Sequence, residues 1–230
     1  EEEALFDLTG FGIRRPGSKE ELLLIKELRT LAQELALPTK EYEFPFLNWL
    51  LLEGGVWVEG RAIPSIVLPF SRSIRGRVRA DAEIEKDNVI YFNKQHIKVV
   101  LKESLKDSPV EEISGLTNPT FVVEEKHGEL LRKNRVEFRL RTEIRDSVSS
   151  VLLIGSLESE RVVGVPVDTL QDGRGLESGF LKALIRDNSE RIKKKELAFL
   201  FLGAHSLGRA GQRHFEELTG RKVDKVLSYP

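Results

Sequence analysis

After residue 147 the chain alternates between short apolar runs and stretches of helical spacing, and that alternation restricts it to few folds. SSVLLIG, RVVGVPVD and ELAFLFLG read as strands, while about Ser178 to Arg186 and about Arg209 to Leu218 read as helices. Strands and helices in turn imply an α/β layer whose sheet is covered by its own connections. The N-terminal part belongs to the same layer. Ser18 with Glu21 three residues on forms a capping-box signature, and LLLIKELRTLAQELAL sets Leu24, Leu28, Leu31 and Leu35 on one face until Pro38. This predicts a helix of about five turns, followed by a short strand at KEYEFPF.

Residues 48 to 146 have a different texture. VWVEGRAIPSIVL, NVIYF, HIKVVL, PTFVV and VEFRLRTEI are β-type runs separated by Gly, Pro, Asn and charged residues. In the last of them Val136, Phe138, Leu140, Thr142 and Ile144 alternate, which predicts one buried and one wet face. The expected organisation is an α/β domain over 1–47 and 147–230, interrupted by a β-rich insert over 48–146. KVDKVLSYP reads as the approach to a further strand, so the α/β domain is expected to be incomplete at Pro230.

Charge narrows the partners. The 230 residues hold 36 Lys plus Arg against 37 Asp plus Glu, a net charge of −1, so no bulk field selects nucleic acid or an anionic membrane. The longest apolar runs, Leu22 to Ile25 and Leu197 to Leu202, are too short to span a bilayer, and EEEALFDLTG lacks the regions of a signal peptide. Cysteine is absent, which excludes disulfides, thiolate zinc sites and a cysteine nucleophile, and with the missing signal peptide favours the cytoplasm. High charge without cysteine also suits a thermophilic source. No methionine occurs, as expected of a chain lacking part of its natural sequence.

Three constellations could carry chemistry. DTLQDGRGLESGF places Gly173, Gly175 and Gly179 between a strand and a helix, where backbone N–H groups could approach a phosphate. Its G-x-G-x-x-x-G spacing departs from the dinucleotide fingerprint, so a plain loop is the competing reading. The turn VPVDT carries Asp168, and FLFLGAHSLGRAGQRHF carries His205 and Ser206. None of His96, His127, His205 and His214 stands at metal-ligand spacing from another histidine or a carboxylate. His96 and His127 read as exposed loop or strand residues. Adjacent side chains at a strand end diverge, so a supporting role for His205 is favoured over a base beside Ser206.

Together these stretches resemble the zinc-dependent aminopeptidases related to bacterial leucyl aminopeptidase, aminopeptidase S and glutamate carboxypeptidase. LTGFGIRRPGSKEELLLIKELRTLAQELAL is similar to their N-terminal signature, and NPTFVVEEKHGELLRKNRVEFRLRTEI to the protease-associated domain that many of them carry. The resemblance implies a mixed-sheet, phosphorylase/hydrolase-like α/β domain with an inserted β-rich protease-associated-like domain. It implies two zinc ions that activate a shared water, with a glutamate as general base. Carried over position by position, a histidine ligand falls on Pro166, the aspartate that orients it on Asp168, and the bridging aspartate on Leu176 or near Glu177. The general base falls on His205 and the next glutamate ligand on Ser206. The family-equivalent catalytic positions are thus His205 and Asp168, with no metal-binding or cofactor-binding residue assigned and no cofactor expected.

The preferred expectation is a catalytically degenerate aminopeptidase-like protein, a binding or assembly module for a peptide or protein ligand rather than nucleic acid or membrane. Two alternatives stay open. One is an active zinc hydrolase rebuilt on Asp168, Glu177 and His205; the other binds nucleotide or phosphate at the Gly173 to Gly179 loop.

Overall fold

The structure is a computed structural model that describes residues 14–94, 96–105, 117–169 and 176–227. The chain divides into two compact units, one of Glu1–Asn48 with Asp146–Pro230 and one of Trp49–Arg145. Among the described residues no helix is long and apolar enough to cross a membrane.

In the first unit, helix α1 (Lys19–Glu34) begins at Ser18, whose hydroxyl accepts from the Glu21 N–H at 3.2 Å. Leu24, Leu28 and Leu31 are buried along one face, as the spacing predicts, and Leu35 packs partly buried beside them. The helix stops at 16 residues, nearer four turns than five, because Ala36 takes a left-handed φ of 53° ahead of Pro38. Strand β1 (Thr39–Val58) then runs for 20 residues, so the short strand expected at KEYEFPF is only its beginning.

The sheet of this unit has the order β12-β10-β11-β9-β1, built from β9 (Val136–Ile154), β10 (Arg161–Pro166), β11 (Leu197–Leu202) and β12 (Lys225–Val226). Strands β10 and β11 are parallel, in register from Arg161↔Leu197 to Pro166↔Leu202. β9 joins β11 antiparallel, from Phe199↔Ile154 to Leu202↔Val151. All six residues of β11 are buried, as expected of a strand covered on both faces. One face packs Phe199, Phe201, Leu152 and Val165 against α1, α3 (Ser178–Asp187) and α4 (Ser189–Lys193) through Leu28, Leu181 and Ile192. The other packs Leu200, Leu202 and Val151 with Tyr42, Phe44 and Phe215 of α5 (Ala210–Thr219). Each such side chain contributes about 1.5–3 kcal/mol by leaving water.

The second unit carries the far half of β1, the near half of β9 and two small additions. β2 (Arg61–Ile63) folds back on β1 through Glu59 and Gly60, both at positive φ, and β4 (Val78–Ala80) pairs antiparallel with β9. A separate five-stranded sheet has the order β3-β8-β7-β6-β5, from β3 (Ser65–Val67), β5 (Ala82–Lys86), β6 (Val89–Phe92), β7 (Ile97–Lys102) and β8 (Thr120–Glu124). Helix α2 (Gly128–Lys133) leads into β9. Phe138 of β9 meets Phe92 of β6 at 4.9 Å and Phe121 of β8 at 5.5 Å between ring centres, which ties the unit's core together.

Two sequence expectations fail on β9. VEFRLRTEI and SSVLLIG are parts of one 19-residue strand rather than two elements. The polar stretch between them remains extended, since a strand exposed on both faces needs no apolar alternation to stay hydrogen-bonded along its backbone. The alternating burial also ends early: Val136, Phe138 and Leu140 are inside, whereas Ile144 is 37% exposed.

Candidate functional site

The tip of β11 is where the sequence motifs converge. After Leu202 the chain turns through Gly203, Ala204, His205 and Ser206 before α5 starts at Ala210. Gly203 is required by packing: a Cβ there would lie 2.2 Å from Ser149 Oγ and 2.5 Å from the Ser150 carbonyl oxygen. Gly211, in the first turn of α5, comes so near the Gly203 carbonyl that a Cβ would lie 2.3 Å from it. Ala204 takes a left-handed φ of 48°, an unfavourable state for a residue with a Cβ that its surroundings must hold.

Two buried carboxylates hold it. Glu21, in the first turn of α1 and 0% exposed, accepts the Ala204 N–H at 2.7 Å through Oε1. Its Oε2 accepts the Gly17 N–H at 2.7 Å and the Ser149 hydroxyl at 2.9 Å. The capping-box reading of Glu21 is corrected here, because this side chain reaches the N–H of Gly17 rather than that of Ser18, which donates to the Arg15 carbonyl. Asp168, also 0% exposed and two residues past the end of β10, accepts the His205 N–H at 3.1 Å and the Ser206 N–H at 2.8 Å, one on each oxygen. Three consecutive amides, at 204, 205 and 206, therefore point at the protein's own carboxylates. Such a run of N–H groups makes an anion-binding nest, and this one is filled from within.

Electrostatics follow from that enclosure. Burial pushes the Glu21 carboxyl up to about 8, with the Asp168 charge adding to the rise and the hydrogen bonds from Ala204, Gly17 and Ser149 opposing it. Burial likewise raises Asp168 to about 6, against the hydrogen bonds from Ser206 and His205. The charge on Asp168 thus adds to the preference of Glu21 for its protonated form.

Arg14 completes the surroundings. Its side chain is 2% exposed, its Nε donates to the Val167 carbonyl at 2.7 Å, and its guanidinium also donates to the Leu176 carbonyl. The Arg14 carbonyl accepts the Thr169 N–H at 2.7 Å, so one residue ties the chain on both sides of 170–175.

Of the residues singled out from the sequence, Asp168, His205 and Ser206 do come together. They meet through backbone N–H groups, and the side chains of His205 and Ser206 are only 6% and 7% exposed. Pro166 ends β10 opposite Leu202. Of the two residues on which the resemblance sets the bridging aspartate, Leu176 is packed into the core and Glu177 is exposed at the head of α3. Gly173 and Gly175 lie outside the described residues, and Gly179 sits in the first turn of α3. His96 is exposed, His127 is half-buried, and His214 stacks on Phe44 with ring centres 5.1 Å apart. Sequence reasoning missed Glu21, Ser149 and Arg14 as parts of this site. A carboxylate at the third position of an amphipathic helix was the visible signal for Glu21, and nothing local marked the other two.

The described residues do not fit a two-zinc centre. They contain no group of three His, Asp or Glu placed to hold a cation. Proline has no donor atom at 166, and both oxygens of Asp168 already accept amide hydrogens. What the arrangement does is hold a strained strand tip by hydrogen bonds from its amides to two buried carboxyl groups.

No family model and no curated protein matches the chain. Solved structures match in fold. The aminopeptidase from Aneurinibacillus sp. strain AM-1 is 11% identical, with a TM-score of 0.56 over 98% of this chain and 69% of that one. BSAP, a zinc aminopeptidase from Bacillus subtilis, is 14% identical, with a TM-score of 0.58 over 94% of this chain and 63% of that one. A peptidase M28 precursor from Shewanella amazonensis SB2B is 12% identical, with a TM-score of 0.58 over 95% of this chain and 66% of that one. The chain thus spans between 63% and 69% of the length of these structures. At such identities the likeness is one of fold, and that fold is the mixed α/β architecture of zinc-aminopeptidase-like proteins.

Proposed function

We propose that this chain uses a zinc-aminopeptidase-like fold for binding or assembly rather than for peptide hydrolysis, with the second unit acting as a protease-associated-like insert. The observation that carries the reading is the closed nest at the tip of β11, where Glu21 and Asp168 occupy the amides of 204, 205 and 206. In the resembling peptidases this tip bears the general base and a metal ligand. Here the equivalent His205 and Ser206 are buried, and their amides are committed to structure. Pro166, at a further ligand position, offers no donor side chain, and of the two candidates for the bridging aspartate Leu176 offers none either, while Glu177 stands exposed at the head of α3. A reaction centre needs preorganised groups facing a substrate, whereas these groups face each other.

The test is elemental analysis of the purified protein beside a panel of aminoacyl and dipeptide substrates. The expected result is less than one zinc per chain and no release of amino acids above the blank, with His205→Ala indistinguishable from the parent. Two stoichiometric metals, with chelator-sensitive turnover abolished by His205→Ala, would transfer the reading to a hydrolase rebuilt on Asp168, Glu177 and His205.

A further inference from the structure

The second unit has an edge that its own chain leaves open. Among the described residues β4 pairs with β9 alone, through Val78↔Phe138, Arg79↔Glu137 and Ala80↔Val136, so its other side presents a row of backbone groups without a strand partner. The segment that delivers it, SRSIRGRVRA from Ser71 to Ala80, contains four arginines and no acidic residue. All four arginines are exposed; the chain bends at Arg75 and Gly76, the latter at a φ of 68°, so Arg77 and Arg79 are the two that stand at strand spacing. The Ile74 N–H donates to the Leu140 carbonyl at 2.8 Å, so this segment runs beside β9 ahead of the strand proper.

Charge across the ribbon is unbalanced. Arg79 Nε donates to Glu137 at 2.9 Å, Arg139 Nε donates to the same carboxylate at 2.8 Å, and Arg77 Nε lies 4.0 Å from it. Three guanidinium groups therefore share one acceptor. Arg77 and Arg79 keep side-chain exposures of 64% and 66%, with most of their donors turned to solvent. The Arg139 guanidinium lies 4.5 Å from the centre of the Trp57 ring, which gives the patch a rigid floor.

We propose that the open edge of β4 is a docking site for an extended acidic polypeptide segment, which adds to the sheet as a strand and sets its carboxylates against Arg77 and Arg79. Strand addition satisfies the unpaired backbone groups, and alternate side chains of the incoming strand recur about every 6.8 Å, the spacing of alternate residues along a strand. Arginine rather than lysine suits this task, since its fork takes a carboxylate by two parallel hydrogen bonds. Nucleic acid fits less well. It offers no peptide groups to the edge, Glu137 stands among the arginines, and the net charge of −1 supplies no long-range attraction. The proposal rests on the edge of the second unit and does not depend on the state of the β11 tip.

The experiment is fluorescence anisotropy of a labelled ten-residue peptide of alternating Glu and Val, titrated with the full chain. Its controls are an alternating Lys and Val peptide and a labelled single-stranded oligonucleotide. Saturable binding of the acidic peptide is expected, weakened by added salt and weakened about tenfold or more in R77E/R79E, whose charge reversal turns attraction into repulsion. R77K/R79K should bind less tightly than the parent but more tightly than R77E/R79E, since it keeps the charge and loses the fork, and hydrogen exchange should slow at the β4 amides when peptide is bound. If R77E/R79E fails to fold, R77E alone, which lies just outside the strand, takes its place. Absence of saturable binding, affinity indifferent to the arginine reversals, or preference for the oligonucleotide would overturn the proposal.

Discussion

Glu21 and Glu137 are the same residue in opposite company. Both are shielded from water, at 0% and 9% exposure, yet their carboxyls shift in opposite directions. Glu21, at the β11 tip, is surrounded by neutral backbone donors and faces a second carboxylate, so burial dominates and its proton is held up to about 8. Glu137, at the β4 edge, is covered by arginines, and the hydrogen bonds from Arg139 and Arg79 hold it below the usual carboxylate range. The contrast teaches that shielding alone does not set the charge of a group; the sign of what shields it does. One region has closed on its own charges, and the other keeps a surplus turned outward.

The largest effect that would sharpen this contrast is expected for Glu21→Ala. It leaves the Gly17 and Ala204 N–H groups and the Ser149 hydroxyl without their acceptor in the core, at a cost of about 3–5 kcal/mol. Urea denaturation would register this as a lowered midpoint. Next comes Gly203→Ala, whose added methyl must push aside Ser149 and the backbone of Ser150, for about 3 kcal/mol by the same measurement. Asp168→Asn follows at about 1–3 kcal/mol, because the amide keeps one acceptor and turns an N–H₂ toward the other backbone donor.

Acidity separates the two regions more finely. Glu21 and Asp168 bind protons more tightly folded than unfolded, so the stability they contribute is complete below their ordinary range and declines as pH rises through about 6 and about 8. Thermal melts across pH 4 to 9 should show that decline, and Glu21→Gln should flatten its upper part. Glu137 acts with the opposite sign: its contribution is present above the ordinary carboxylate value and is lost as pH falls through its lowered one. The smallest effect is expected for Glu137→Gln, a small loss of melting temperature at neutral pH that disappears in acid, since Arg77 and Arg79 are largely solvated. A large loss there, or a flat acid response at Glu21, would break the comparison.

Much of the frame was legible in the chain. Leu24, Leu28 and Leu31 announced the buried face of α1, and LAFLFL announced a strand covered on both faces. The candidate site was legible only in part. Asp168, His205 and Ser206 stood out by motif, but the link between them runs through amides, which every residue possesses and no sequence pattern displays. The continuity of β9 was hidden for a related reason: the polar run at its middle looks like a turn, although extended backbone tolerates it.

Local chemistry was enough to set the buried face of α1 and the strand character of β10 and β11, because hydrophobic period acts between near neighbours. Closure of the chain assigned everything else. Glu21 meets Ser149 and Ala204 across separations of 128 and 183 residues, and Asp168 meets Ser206 across 38. A carboxylate's proton affinity depends on which dipoles and charges surround it, and only the assembled packing brings those together.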